Sequence, residues 1–500
     1  MSIGKKAAKG FVKILQRNML EKLMGLTTIV VLARELTPYD FGLVSITEVL
    51  LYLVSVFGTT GLSEYLLAYR KDDVKETFRA AFWFNIVITL VVLGVFLLIV
   101  PLWTVFQNEP RIRDISFIVG GIFVFSQLAV IPKTWLSRNM MFDKQVRIQT
   151  PFIILIPLGK LVAVFAGFGV YSLILPTLLL TPIQTWVFYR ATKLKPGTRL
   201  YTERWKEIYH FTKHLIGSGL LRRMADHGDK FILSKMLGLS MLGIYNIAMQ
   251  MAELFTTQLI MVSNNILSSV LPKYVNDKSK FYHHYMSFLK TFSFVLLPFL
   301  GIMLLTAKPI ILLMYGPQWV DAVLPMQILI IYSALRTVTS SFSIVMNAYH
   351  RNKESFKVNL FFTPVHLVGS AIGAYYGGIV GVALSLVIVR AVFYNWRIRL
   401  TMNAVELPNM RWYKDLYPYF LSIIAVVAVL GITGSYVSAI FEGIYPLWII
   451  AIVAIAVILV YNLFVKLLFP KELKTISYFL AATFPKAQQP FNRIYGIHSA

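Results

Sequence analysis

Residues 31–43, VLARELTPYDFGL, and residues 232–244, ILSKMLGLSMLGI, lie over each other at an offset of 201 (232 − 31). Leu32 then pairs with Leu233, Arg34 with Lys235, Leu36 with Leu237 and Gly42 with Gly243. A second echo, Gly169-Val170 against Gly381-Val382, opens an apolar stretch in each half after a minimal turn. With about six membrane spans between equivalent points, the two copies share one orientation, and parallel repeats imply a two-fold axis along the membrane normal.

The composition sets these repeats in lipid. Of 500 residues, 57% are hydrophobic and 14% charged, whereas soluble domains carry about 25% charged residues. The 36 Phe, 26 Tyr and 9 Trp supply the aromatic surplus expected at membrane interfaces. The net charge is +25, from 48 Lys+Arg against 23 Asp+Glu. In so apolar a chain this excess belongs to inner loops rather than to a nucleic-acid surface. Cysteine is absent, which excludes disulfides, thiol catalysis, Fe–S clusters and cysteine zinc sites.

Apolar runs of about 20 residues read as membrane helices. About fourteen are found, at 18–36, 41–66, 79–103, 114–135, 149–166, 169–190, 210–235, 241–270, 288–307, 322–347, 357–376, 379–398, 416–436 and 444–466. Polar residues interrupt the first and seventh. With the N-terminus inside, inner segments gather most of the basic residues, among them Arg70, Lys71, Arg138, Lys144, Arg190, Lys278, Lys280, Lys290, Arg390, Arg397 and Arg411. Outer connections keep Arg34, Arg111, Arg113, Lys235 and Lys308. Both termini are therefore expected in the cytoplasm. The fold class is an all-α polytopic membrane protein, with two parallel six-helix lobes around a central cavity and two extra C-terminal helices.

The expected organisation follows. Residues 1–17 form a basic amphipathic helix on the inner leaflet. Residues 18–190 make the first lobe, 191–209 a cytoplasmic link, and 210–398 the second lobe; 399–466 hold the last two spans and 467–500 a basic tail. No connection is long enough for a soluble domain, so the function lies within the membrane.

Ionisable groups inside a bilayer are costly and face a cavity or one another. In span seven, Ser218, Gly219, Arg222, Arg223, Asp226, Asp229 and Lys230 share an arc of about 140° at about 100° per residue. Span two aligns Ser45, Glu48, Tyr52, Ser55 and Thr59, and span eight Asn246, Gln250, Glu253, Thr257 and Asn264. Span one carries Asn18, Glu21, Lys22, Gly25 and Thr28, and span ten Ser333, Arg336, Ser340, Ser343 and Asn347. Some of these groups could instead neutralise one another, Arg222 with Asp226 and Asp226 with Lys230 being i,i+4 partners on the same helix. Five polar faces together point instead to a water-filled cavity between the lobes. Its cations, Lys22, Arg222, Arg223, Lys230 and Arg336, suit an anionic head group, because arginine binds phosphate bidentately and lysine as a point charge. Glu48, Asp229 and Glu253 are candidate carriers of a coupling proton or sodium ion. Lys160 stands alone in span five and fits interface snorkelling as well as function.

Several segments resemble the Wzx-type polysaccharide flippases. RELTPYDFG (34–42) is similar to their motif after the first helix, and Gly58 and Gly61-Leu62 follow in the next. DKFILSKMLGLSMLGIYNIA (229–248) resembles their seventh-to-eighth helix signature; VLPKY (270–274) and YGPQWVDAVLPMQIL (315–329) match segments further on. The likeness runs from residue 18 to about 400. It implies the multidrug/oligosaccharidyl-lipid/polysaccharide transporter superfamily, and within it exporters that move undecaprenyl-diphosphate-linked sugar units across a bacterial or archaeal cytoplasmic membrane by alternating access. The partners implied are the polyprenyl-diphosphate-linked oligosaccharide and membrane lipids. The basic tail suits a polysaccharide-assembly enzyme or the leaflet itself, and the sequence leaves both open. Asp229, with Arg222 and Arg223 nearby, lies on a matched motif; the other site residues rest on helical register.

Other chemistry is poorly supported. His210 and His214 have i,i+4 spacing but no acidic third ligand nearby, and His283-His284 reads as a loop pair, so no metal is expected. Asp72-Asp73 sits among Arg70, Lys71 and Lys75 and reads as a salt-bridged loop. No Walker loop is present, and neither a cofactor nor an enzymatic reaction is expected. The alternatives weighed are a cation-coupled drug antiporter, whose cavity should be richer in acids, and a membrane glycosyltransferase or polymerase, which should carry a sizeable outer loop.

Overall fold

The computed structural model describes residues 3–59, 61–70, 73–192, 194, 197, 200–437, 446–470, 473, 476–477 and 485–495. The α-helices are α1 (Ile3–Glu35), α2 (Pro38–Thr59), α3 (Leu62–Ala68), α4 (Val74–Gln107), α5 (Arg111–Leu128), α6 (Val130–Arg138), α7 (Phe142–Phe165), α8 (Leu175–Thr192), α9 (Trp205–Leu237) and α10 (Leu239–Ala252). They continue as α11 (Thr256–Val270), α12 (Lys278–Leu305), α13 (Ala307–Met314), α14 (Val323–Thr339), α15 (Phe342–Ala348), α16 (Asn352–Ala404), α17 (Asn409–Val437), α18 (Pro446–Leu468) and α19 (Pro485–Tyr495). No strand occurs among the described residues.

Among the described residues, ten helical stretches are long and apolar enough to cross a membrane, and the pair α10–α11, bent by 54°, makes an eleventh if it is one span. One of the ten, the 53-residue α16, is two helices joined at Gly377-Gly378, so it holds both spans expected at 357–376 and 379–398. Helices also lie where spans one and seven were expected, but charged residues on α1 and α9 keep both below that apolar standard. The expected count of fourteen is thus not reached on length and composition. The expected border at residue 17 falls inside the continuous helix α1. Part of the tail 467–500, part of the link 191–209, Asp72, and the side chains of His214 and Ser218 lie outside the described residues.

Local chemistry explains the turns. Thr37 caps α2: its hydroxyl donates to Asp40 Oδ2 at 2.7 Å, and its own N–H reaches the same carboxylate at 3.0 Å. Pro38 takes the first helical position, where a missing N–H costs nothing. At Gly378 the backbone adopts φ +56, a value side chains rarely tolerate. The halves of α16 then touch backbone to backbone, Gly373 on the carbonyl of Gly381 and the reverse, as small residues permit.

The chain packs as two compact units, Met1–Asn246 and Ile247–Ala500. The border falls within α10, not in the link 191–209, because α9 packs on α2 and α4 of the first unit. In that unit α1 lies along α7, α2 also meets α4 and α5, and α8 packs on α5 and α7. In the second, α16 packs on α14 and α15, while α12 meets α14, α17 and α18.

Within the first unit the 201-residue repeat becomes a physical contact. Gly42 packs on the carbonyl oxygen of Leu239, and Gly243 on that of Pro38. The same offset relates Gly42 to Gly243 and Pro38 to Leu239 (239 − 38 = 201). Residue i meets j while the copy of i meets the copy of j, which is the signature of a two-fold axis through the crossing.

Three basic residues assigned to inner connections belong to packed helices instead. Lys290 is buried in α12, paired at 2.9 Å with Asp415 of α17. Arg390 and Arg397 are buried on α16, their guanidinium carbons 4.7 and 5.1 Å from the centre of the Phe362 ring. Arg390 also donates to the Tyr332 hydroxyl at 2.8 Å. Charge counting along the chain places such residues in loops; aromatic faces hold these two within the bundle.

Candidate functional site

The charged centre of the first unit is built by α2, α7 and α9. Glu48 on α2 is within electrostatic reach of Lys230 on α9 and Lys160 on α7. One turn further along α2, the exposed Tyr52 stacks on the His227 ring of α9, with centroids 5.1 Å apart and planes 13° from parallel. Beyond it Arg223 donates to the Tyr52 carbonyl at 2.6 Å and to the Ser55 hydroxyl. The stripes on spans two and seven thus face each other, joined ring to ring and guanidinium to carbonyl, with Glu48 and Lys230 within electrostatic reach. Two lysines, from α7 and α9, thus act on the one carboxylate of α2.

The α9 arc does not point one way. Arg222 and Asp226 are exposed, whereas Asp229 is 3% exposed and accepts the Tyr245 hydroxyl of α10 at 2.6 Å. Tyr245 is fully buried. Lys22, half-buried on α1, shares none of the contacts around Glu48. Lys160, read as solitary, has Glu48 as its electrostatic neighbour. His227 escaped the sequence reading, although its place one turn after Arg223 was a usable signal; Tyr52, the group that gives it meaning, lies on another helix.

Both ends of this centre are tied down. At one, Phe231 clusters with Trp103 and Phe106, its ring centre 5.3 and 5.5 Å from theirs, and Lys235 donates to the Phe106 carbonyl at 2.6 Å. At the other, Arg204 pairs with Asp73 and Glu76, and Tyr69 donates to Asp73 at 2.7 Å. Asp73 lies outside the apolar stretches, and the Arg204 guanidinium, helped by the Tyr69 hydroxyl, holds its carboxyl below the ordinary 3.8.

In the second unit two expected site residues meet: Arg336 of α14 pairs with Glu253, which stands in the break between α10 and α11. On α11, Gln258 Oε1 and Asn264 Oδ1 are buried without a hydrogen-bond partner among the described residues. Such atoms are ordinarily satisfied by water or a ligand.

The quoted motifs are largely packing devices. Gly316 has φ +99, turning the chain so that Trp319 is fully buried, and Gln327 donates to the Leu304 carbonyl at 3.0 Å. Tyr315, also fully buried, donates to the Met251 sulfur at 3.0 Å.

Comparison with known proteins gives a consistent family. The model of a family described as polysaccharide biosynthesis protein matches residues 31–324. The succinoglycan biosynthesis transport protein ExoT of Rhizobium meliloti (strain 1021) is 23% identical over 376 residues, 74% of this chain and 75% of that protein. The lipopolysaccharide biosynthesis protein WzxC of Escherichia coli (strain K12) is 22% identical over 382 residues, 74% and 75% of the two chains. Among solved structures, the lipid II flippase MurJ in an inward closed conformation superposes with TM-score 0.72, covering 91% of this chain and 98% of its own at 17% identity. An inward-facing multidrug resistance MATE family transporter gives TM-score 0.60 at 13% identity, covering 79% and 99%.

Proposed function

The chain belongs to the polysaccharide biosynthesis protein family, and on that premise we propose that it flips undecaprenyl-diphosphate-linked oligosaccharide units across the cytoplasmic membrane by alternating access. It acts as a transporter and not as an enzyme, with both termini in the cytoplasm. The observation that carries the reading is the cluster of Glu48 with Lys160 and Lys230 beside Arg222 and Arg223. A diphosphate suits such a cluster, because arginine with lysine matches its oxygens.

In this reading Glu48 and the substrate phosphates compete for the same two lysines. When Glu48 takes up a proton or a sodium ion, Lys160 and Lys230 are released to the head group; when it gives up the ion, it takes the lysines back and the head group leaves. Arg222, exposed on α9, meets the phosphates directly, while Arg223 holds α9 to α2. Glu253 with Arg336 forms a second exchangeable pair, and Lys22 adds charge from α1. Asp229, committed to Tyr245, fixes α9 to α10.

The test is flipping of a fluorescent polyprenyl-diphosphate oligosaccharide in proteoliposomes, comparing wild type with Arg222→Ala/Arg223→Ala and with Glu48→Gln. Movement between leaflets in the wild type, lost with the arginines, supports the reading. Glu48→Gln should bind the lipid yet lose ion-dependent transport. Absence of movement in the wild type, with the native lipid-linked sugar supplied, would sink the proposal.

A further inference from the structure

At the start of α12 a cavity of about 350 Å³ opens between that helix and the first turns of α17. It is lined by Lys280, Tyr282, His283, Lys290, Arg411 and Asp415, among others. Lining residues run from Ser279 to Lys290 along α12, so the cavity is a groove about 16 Å long at about 1.5 Å per residue. None of these residues belongs to the charged groups assigned to flipping.

The groove has a rigid floor and a charged mouth. On the floor, Asp415 Oδ1 takes the Lys290 ammonium at 2.9 Å and Oδ2 takes the Tyr282 hydroxyl at 2.6 Å. Lys290 is 8% exposed and Tyr282 3%, so this carboxylate is spent on buried donors. At the mouth, the Arg411 guanidinium lies 4.8 Å from the centre of the Tyr282 ring, and no carboxylate pairs with it among the described residues. Contact with a ring that is itself hydrogen-bonded to Asp415 positions the guanidinium before any ligand arrives. Lys280 lines the same cavity, its pairing with Asp277 at 3.1 Å being exposed and therefore weak. His283 adds a further ring-nitrogen donor.

Loop lysines that merely follow the positive-inside rule need no concavity. Here cations from two helices converge on one, one of them is pre-oriented, and the only lining carboxylate is already bound. The geometry points to a phosphate-binding site, and we propose that this groove takes a phosphoryl group between Arg411 and Lys280. The apolar bodies of α12 and α17 start beside the groove, so a phospholipid head group and a soluble phosphate both satisfy this chemistry.

The purified full-length protein should be tested in two arms. In one, native mass spectrometry counts retained phosphatidylglycerol against phosphatidylcholine; in the other, titration with inorganic pyrophosphate reads a soluble ligand. The variants are Arg411→Gln and Lys280→Gln, both at exposed positions, with Arg411→Lys as the charge-preserving partner and thermal unfolding as the check on folding. Loss of a bidentate contact should weaken retention of the anionic ligand about tenfold. Arg411→Lys should restore part of it, and phosphatidylcholine should be unaffected. A loss confined to phosphatidylglycerol identifies the lipid as the source, and a loss confined to pyrophosphate identifies the soluble ligand. Equal retention of both anions by wild type and variants, or no retention by the wild type, would overturn the proposal. Neither readout requires transport, so it stands or falls apart from the flippase reading.

Discussion

Gly42 and Gly243 meet at one helix crossing, each lying against the first-turn carbonyl of the other's helix, Leu239 for the one and Pro38 for the other. A Cβ at either position would run into backbone, which has no rotamer with which to move aside. Gly42→Ala and Gly243→Ala should each destabilise by about 2 kcal/mol, within the usual range for overpacking. Gly25 and Gly94, also helical, have nothing within 4 Å of an added Cβ. Alanine there should be neutral or stabilising by up to about 1 kcal/mol through helix propensity. Thermal unfolding in detergent separates the two classes; a similar Tm for all four variants would contradict the close crossing.

Asp229 and Tyr245 form a buried hydrogen bond between α9 and α10. Tyr245→Phe leaves the carboxylate with an unmet need and should cost about 1.5–3 kcal/mol. Asp229→Asn keeps a neutral acceptor and should cost less. If Asp229 serves packing alone, Asp229→Asn should retain the ion dependence of flipping while lowering Tm. An ion-independent but stable Asp229→Asn protein would return this residue to the coupling machinery.

Glu253 and Arg336 should behave as a pair. Each is only partly exposed, with side-chain exposure of 21% and 32%, so removing one partner takes a partly buried ion pair from the other. Glu253→Gln and Arg336→Gln should each impair flipping, and the double variant should be less impaired than the sum of the two. Additive losses in that cycle would show that the two residues act separately.

The Arg204–Asp73 contact ties the end of the basic link to the start of α4. The Asp73 carboxyl is held below its ordinary 3.8 by Arg204, with Tyr69 contributing. A depressed carboxylate stabilises the folded contact fully above the ordinary value, and that contribution fades as pH falls through the lower, folded one. The tether should therefore be constant from neutral pH to about 4 and weaken only below it. Hydrogen exchange in residues 200–206, corrected for intrinsic rates, should rise in that acidic window. Asp73→Asn should show the faster exchange at neutral pH and a smaller change on acidification, since Glu76 still pairs with Arg204; pH-independent exchange in the wild type would refute the tether.

The sequence alone determined the membrane setting, the helical class, most of the apolar spans and the repeat. These follow from quantities that need no tertiary knowledge: a bilayer demands long apolar runs, and helical register is fixed by 3.6 residues per turn. Even Gly42 and Gly243 were visible as a matched pair, since close backbone approach leaves glycine little alternative. Tertiary structure decided what each polar residue faces. Lys160 looked solitary because Glu48 lies on another helix, and Asp229 looked like a cavity carboxylate because Tyr245 closes over it only after α10 turns back at Gly238. Arg390 and Arg397 counted as loop charge until Phe362 was seen beneath them. Periodicity gives the face of a helix, but the partner depends on how helices rotate and cross, and only the packed chain sets that.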